Sequence, residues 1–152
     1  MTQDLLHELF EYKDGELVWN INKGTAKIGD VAGCLDTQGY IQTSINSKPY
    51  RTHRLIYIYH NGDIPKGLQV DHINGIRNDN HIENLRLATH QENQWNRTKA
   101  KGYTWNKRNN KWNAQIKVNG KRKHLGLFDN EDDAHQAYLN AKDELHIIER
   151  VA

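Results

Sequence analysis

This 152-residue chain has one cysteine, no long apolar run and, over one extended stretch, no acidic residue. The single cysteine, Cys34, excludes an intramolecular disulfide and a cysteine-cluster zinc site, and a lone thiol of this kind is expected to be buried. No apolar stretch approaches the ~18 residues of a membrane span. The opening MTQDLLHELFEY has neither the basic nor the apolar region of a secretory signal. The expected setting is therefore a reducing cytoplasm, with no membrane partner. Hydrophobic content of 36% and a mean hydropathy of −0.93 are too low for one large core and favour two small modules.

What is present is concentrated near the middle. Asp71-His72 is followed twelve residues after the histidine by Asn84, and nine further on by Asn93. Metal-assisted phosphodiester cleavage needs a hard oxygen ligand, an adjacent base, a group that orients the base and a second oxygen ligand, and this spacing supplies all four. Leu68 to Ile73 is a β-prone run entered from the turn Ile64-Pro65-Lys66-Gly67, so Asp71 and His72 sit at a strand end. A polar loop follows from Asn74 to His81. Ile82 to Leu87 then resumes an apolar alternation, as a second strand or a tight turn. Thr89-His90-Gln91-Glu92 fits a capping box, which starts a helix at His90 and puts Asn93 in its first full turn. A hairpin packed on a helix would bring Asp71 and Asn93 to one magnesium-sized site, with His72 beside it.

The segment VDHINGIRNDNHIENLRLATHQEN, Val70 to Asn93, resembles the HNH nucleases, whose fold is a ββα-metal finger and whose relatives include phage-encoded homing endonucleases. The resemblance implies Asp71 as a metal ligand, His72 as the general base, Asn84 as the residue that holds the His72 loop, and Asn93 as the second ligand. Asparagine stands where many members carry a final histidine. That points to one hard ion per active site, magnesium or manganese, rather than a histidine-rich zinc centre. Taken singly, an Asp-His pair or an asparagine in a turn is ordinary; four such positions at the family spacing are not. His81 and His90 flank the motif as DNA contacts or as solvated loop residues, solvation being the commoner case. His53 is expected to pack or to brace a loop rather than to act in catalysis.

The net charge of +2 conceals an uneven distribution. From Arg97 to Phe128 there are ten Lys and Arg residues, among them Arg97, Lys99 and Lys101, and no carboxylate; from Asp129 onward acidic residues dominate. Tyr103, Trp105, Trp112 and His124 interleave the basic stripe, as expected of a surface that neutralises phosphates. Tyr103–Asn106, Trp112–Val118 and Arg122–Phe128 read as three short strands, with turns at Asn109-Asn110 and at Asn119-Gly120. A helix from Glu131 sets Ala134, Ala137, Tyr138, Ala141 and Leu145 on one stripe. Alternation predicts that Trp105, Trp112, Ala114, Ile116 and Val118 face this helix. Thr104, Asn106, Arg108, Asn113, Gln115, Lys117, Arg122 and His124 then lie on the open side, which is of a size to enter a major groove. The aromatic residues Trp105, Trp112 and Phe128 are read as core.

This second region resembles the apetala-two or ethylene-response DNA-binding domain through Lys101-Gly102-Tyr103, Lys111 to Ile116, Leu125-Gly126-Leu127-Phe128, Asp133-Ala134 and Ala137-Tyr138. The resemblance implies a sheet lying in the major groove, with contacts from Lys101, Thr104, Gln115, Lys117, Arg122 and His124. Several arginines and a tryptophan of that family are threonine, asparagine or histidine here, so the sequence preference of the plant factors does not carry over.

The first fifty residues suggest a short amphipathic helix at Leu5 to Phe10 and a small antiparallel sheet at Leu17 to Trp19 and Tyr40 to Ile45. These elements would buttress the finger, with Lys48 or Arg51 as a further DNA contact. The expected organisation is α+β. A ββα-metal HNH nuclease domain spans 1–97, with its finger at about 68–97, and a three-stranded antiparallel sheet on one helix spans 98–152, joined through a linker near Gln94 to Lys101. The expected function is metal-dependent hydrolysis of duplex DNA by a phage-type homing endonuclease in a bacterial host, with no obligatory protein partner. The competing readings are a non-cleaving sequence-specific DNA-binding regulator and a structured-RNA nuclease.

Overall fold

The computed structural model describes residues 1–96 and 100–146. Arg97 and Lys99 of the basic stripe, and part of the expected linker, lie outside the described residues. The architecture is α+β, in two compact units, 1–93 and 94–152.

The first unit opens with α1 (Gln3–Leu9), whose Thr2 side chain accepts from Leu5 N and so caps it. Leu6 and Leu9 are buried; Phe10, which the apolar pattern places in the same helix, instead begins β1 (Phe10–Lys13). β1 pairs antiparallel with β2 (Glu16–Trp19). A three-stranded sheet follows, β3 (Cys34–Leu35), β4 (Ile41–Ile45) and β5 (Lys48–Arg51), in that spatial order. Cys34 is exposed, contrary to the expectation of a buried thiol. It lies on a two-residue edge strand that pairs with β4 alone, so nothing covers it.

Helix α2 (Thr52–Asn61) buries Leu55, Ile56 and Ile58 against Leu6, Phe10 and Leu17. Its first residue is fixed by a buried hydroxyl pair, Thr43 Oγ1 to Thr52 Oγ1 at 2.8 Å, and Thr43 Oγ1 also donates to Ala32 O at 3.2 Å. Pairing these hydroxyls offsets the cost of removing them from water. The hairpin β6 (Leu68–His72) and β7 (Leu85–Thr89) packs its Val70 and Leu85 into the same core. A single 3-10 turn, Ile82–Asn84, leads into β7, and α3 (His90–Trp95) follows.

The second unit is a sheet of β8 (Tyr103–Asn106), β9 (Lys111–Val118) and β10 (Lys121–Phe128), with β9 central, covered by α4 (Glu131–Leu145). Asn119 and Gly120 both have positive φ, +48° and +78°, which is what a two-residue hairpin turn requires. α4 is capped by Asn130, whose Oδ1 accepts from Asp133 N at 2.8 Å, and it buries Ala134, Tyr138 and Ala141 against Ile116. Gly102 packs directly on this helix. A Cβ there would stand 1.9 Å from the Tyr138 ring, so no side chain fits without displacing it.

Trp105 corrects the alternation reading. It lies on the helix side of the sheet, paired with Trp112, but it is 44% exposed. The small core centres on Ile116, Tyr138 and Ala141, towards the far end of β9, which leaves edge-strand β8 with an open tryptophan touching Trp112 edge-on at 5.1 Å. Trp112 and Phe128 are half-buried rather than enclosed.

Candidate active site and nucleic-acid interface

Three local devices shape the region around Asp71 and His72. The first is the hairpin register, which pairs Gln69 with Ala88, Asp71 with Arg86 and His72 with Leu85. The second is the capping box: Thr89 N donates to Glu92 Oε2 at 2.6 Å, and Glu92 N donates to Thr89 Oγ1 at 3.2 Å, so α3 starts at His90. The third is the loop between the strands. Asn84 Nδ2 donates to Asn74 Oδ1 at 3.0 Å and to Asp79 O at 2.8 Å, while its Oδ1 accepts from Asn74 N at 3.0 Å. One side chain thus braces both ends of the loop that begins two residues after His72.

Alternation along β6 sends Gln69 and Asp71 to one face and Val70 and His72 to the other. On the first face Asn93, from the opening turn of α3, donates through Nδ2 to Gln69 Oε1 at 2.9 Å. Gln69 and Asp71 are two strand residues apart, ~6.6 Å, so this bond brings the Asn93 amide to the carboxylate's side of the hairpin. Asp71 is 8% exposed and receives two bonds on Oδ2 from Arg86, at 3.2 and 3.0 Å. Arg86, directly across the hairpin, thus sets a cation against this deeply placed carboxylate. Among the described residues there is no group of three or more His, Cys, Asp or Glu placed to hold a metal ion. The donor set on this face is one carboxylate and one amide, all oxygen, which suits a hard divalent ion that keeps several of its waters.

On the second face His72 is 4% exposed, and its Nε2 lies 3.0 Å from Asn80 Oδ1, itself on a buried residue. The amide oxygen opposite favours the tautomer with the proton on Nε2. His53, in the first turn of α2, meets the His72 ring at 4.7 Å and 65°, and Tyr40 lies 5.5 Å from His53 and 6.1 Å from His72. Burial, reinforced by His72, Arg54 and Arg51, lowers the His53 pKa to about 3, and its Nδ1 has no hydrogen-bond partner among the described residues. His53 is thus a packing residue, as expected, but one that packs on His72 itself. Outside the cluster, the Asp79 carboxylate at 2.7 Å raises the pKa of exposed His81.

Asp71 and His72 thus lie at the end of β6, Asn84 at the end of the loop that follows them and Asn93 in α3, with the carboxylate and the imidazole leaving β6 on opposite faces. Sequence reasoning missed Arg86, Asn80, Tyr40 and Arg77. The Leu-Arg-Leu alternation put Arg86 opposite the face of Leu85 and Leu87, and only the register shows that it meets Asp71. Nothing local marked the others.

In the second unit, the register sets Thr104 beside Asn113, Gln115 beside His124 and Lys117 beside Arg122, all on the face away from α4. Arg108 lies not on a strand but in the β8–β9 turn, where Asn106 Oδ1 accepts from its N–H at 3.1 Å. Lys101 precedes β8, with its Nζ 6.0 Å above the Tyr103 ring. Lys117 and Arg122 are like charges directly opposed across the sheet, an unfavourable pair that an anion would relieve.

A family model described as HNH endonuclease matches residues 50–95, which include the whole β6–β7–α3 hairpin and helix. The chain is 35% identical over 82 residues to Protein 3.8 of Escherichia phage T7, an alignment covering 49% of this chain and 68% of that protein. The chain carries an HNH endonuclease domain at residues 50–95. It is also 42% identical over 55 residues to the SPbeta prophage-derived putative HNH homing endonuclease YosQ of Bacillus subtilis (strain 168), covering 36% of this chain and 32% of that relative. No solved structure matches. An HNH domain makes the chain a nuclease by family, implies that it binds DNA, and belongs to a group that generally depends on a divalent metal. Among the described residues, no helix is long and apolar enough to cross a membrane.

Proposed function

We propose that this chain is a divalent-metal-dependent endonuclease of the phage homing type, cutting duplex DNA in the cytoplasm of a bacterial host. The observation that carries this reading is the Asn93–Gln69 hydrogen bond, which brings the α3 amide to the face of β6 that bears Asp71, inside the segment matching the HNH family. Asp71 and Asn93 would hold one magnesium or manganese ion, which when bound supplies positive charge to the phosphate and to the leaving 3′ oxygen. Arg86 fixes the Asp71 carboxylate by its two bonds to Oδ2. Asn80 holds the His72 ring by Nε2, so that Nδ1 takes a proton from the attacking water at the end of β6. Asn84 keeps the intervening loop in register.

The open face of β8, β9 and β10 would grip the duplex as the apetala-two resemblance implies, using Thr104, Gln115, Lys117, Arg122 and His124, with Arg108 and Lys101 at its margin. The metal finger then addresses the backbone while the sheet addresses the major groove. The test is nicking of supercoiled plasmid with magnesium, with duplex affinity measured in the same samples. The native chain should cut. His72→Ala should lose cutting by 100-fold or more, in the range typical of general-base removal of roughly 10²–10⁴, and keep its affinity. Equal absence of cutting in both, with binding intact, would make the chain a non-cleaving DNA-binding protein. Preferential cleavage of structured RNA in competition would change the substrate class.

A further inference from the structure

Tyr40 carries two cations on its ring. The Arg51 guanidinium carbon lies 4.5 Å from the ring centroid and that of Arg77 lies 5.1 Å from it. The three come from different places, Tyr40 from just before β4, Arg51 from the end of β5, and Arg77 from the middle of the loop that follows His72. Arg51 is neutralised by an ion pair with Asp36 and further held by Gln38 Oε1 at 2.9 Å. Arg77 is held differently. Its Nη1 donates to a main-chain oxygen, Gln38 O, at 2.8 Å, and among the described residues no carboxylate pairs with it. That bond uses one of the five N–H donors of a guanidinium. Asp36 is committed elsewhere, Oδ2 to Arg51 and Oδ1 to the backbone N–H groups of Gln38 and Tyr40 at 2.8 and 3.0 Å, and Asp79, in the same loop as Arg77, accepts from Asn74 Nδ2 at 2.6 Å and lies 2.7 Å from His81 Nδ1.

The result is an exposed, unneutralised guanidinium, fixed on an aromatic face and anchored to a carbonyl, whose supporting ring is 6.1 Å from that of His72. Pre-organisation of a planar donor fork without a carboxylate partner is what a phosphate-binding arginine requires. We propose that Arg77, positioned by Tyr40, binds a backbone phosphate of duplex DNA neighbouring the one that is cut. The inference rests on the nuclease reading for the word "cut" but not for the phosphate. Tyr40 is a positioning residue, and Arg51, neutralised by Asp36, packs on the same ring.

The experiment is phosphate ethylation interference on a bound duplex, with the dependence of affinity on salt, in a His72→Ala background that holds DNA without cutting it. Arg77→Gln should abolish interference at one phosphate beside the cleavage position mapped with the native chain. It should also lower the log–log salt slope by about 0.9, the value for one contact. Arg77→Lys, which keeps charge and loses the fork, should retain the slope and weaken the interference. Tyr40→Leu should reproduce Arg77→Gln, and Tyr40→Phe should restore the native pattern. Lys66→Gln, an exposed cation on the same unit, should leave the pattern unchanged. An Arg77→Gln footprint identical to that of its parent overturns the proposal. If the native chain cuts and that footprint is unchanged, only this inference fails. If the footprint depends on Arg77 but nothing is ever cut, the nuclease reading fails and the phosphate site stands.

Discussion

His53 shows how a single residue records its surroundings in its pKa. Burial holds the folded-state value at about 3, against an ordinary value of 6.5. Because the unfolded chain takes up a proton near pH 6.5 and the folded chain does not, the stability associated with neutral His53 is present above that pH. It is lost as pH falls from about 6.5 towards 3. In the middle of that window the loss approaches about 1.4 kcal/mol per pH unit for one proton. His53→Phe should therefore make urea-unfolding stability fall less steeply than in the native chain between pH 6 and pH 4, whatever constant offset the new ring brings. Parallel pH profiles would show that His53 is not held neutral. The same scale exposes what a one-dimensional reading misses. Asp71, His72, Asn84 and Asn93 stand out as candidates because the spacing of residue types carries them. Arg86 on Asp71, Asn80 on His72 and the two arginines on Tyr40 depend on register and loop path, which spacing does not encode.

At the scale of elements, the parts governed by local chemistry follow the sequence closely. The capping box at Thr89 and Glu92 forms as its residues require, the Asn119-Gly120 turn takes the positive φ values that its type demands, and α4 begins behind its Asn130 cap. The parts governed by what covers what follow it less well. Period-two alternation put Trp105 on the correct side of the sheet but could not show that α4, which reaches β8 at Tyr103, leaves Trp105 uncovered. Cys34 has the composition of a core residue and lies on an edge. Two elements of the finger invite a comparison. Thr89→Ala removes one half of the capping box and should cost about 1 kcal/mol of stability, with little change in cutting by the folded fraction. Asn84→Ala removes three bonds within the His72 loop and should lower the turnover of folded protein at least 10-fold, more than its effect on stability explains. Turnover that simply follows the folded fraction in both variants would reduce Asn84 to a structural residue.

At the scale of the whole molecule, the division into two compact units suggests that cutting and gripping are separable. Replacing Lys117 and Arg122 by glutamine together should weaken duplex binding and lower the magnitude of the log–log salt slope by about 1.8, two contacts at 0.9 each. Manganese binding at Asp71 should be unchanged. An equal fall in metal affinity would show that the two units do not divide the work. A slope indifferent to both residues would remove the open sheet face from the interface.

The central claim is that Asp71 and Asn93, 22 positions apart, hold one divalent ion at the end of β6. The most direct measurement is manganese-induced broadening of backbone amide resonances in the His72→Ala chain bound to duplex DNA. Broadening centred on the end of β6 and the first turn of α3, from Gln69 to Asn93, and abolished by Asp71→Ala, is the predicted result. Broadening centred elsewhere, or unchanged when Asp71 is removed, would contradict the account.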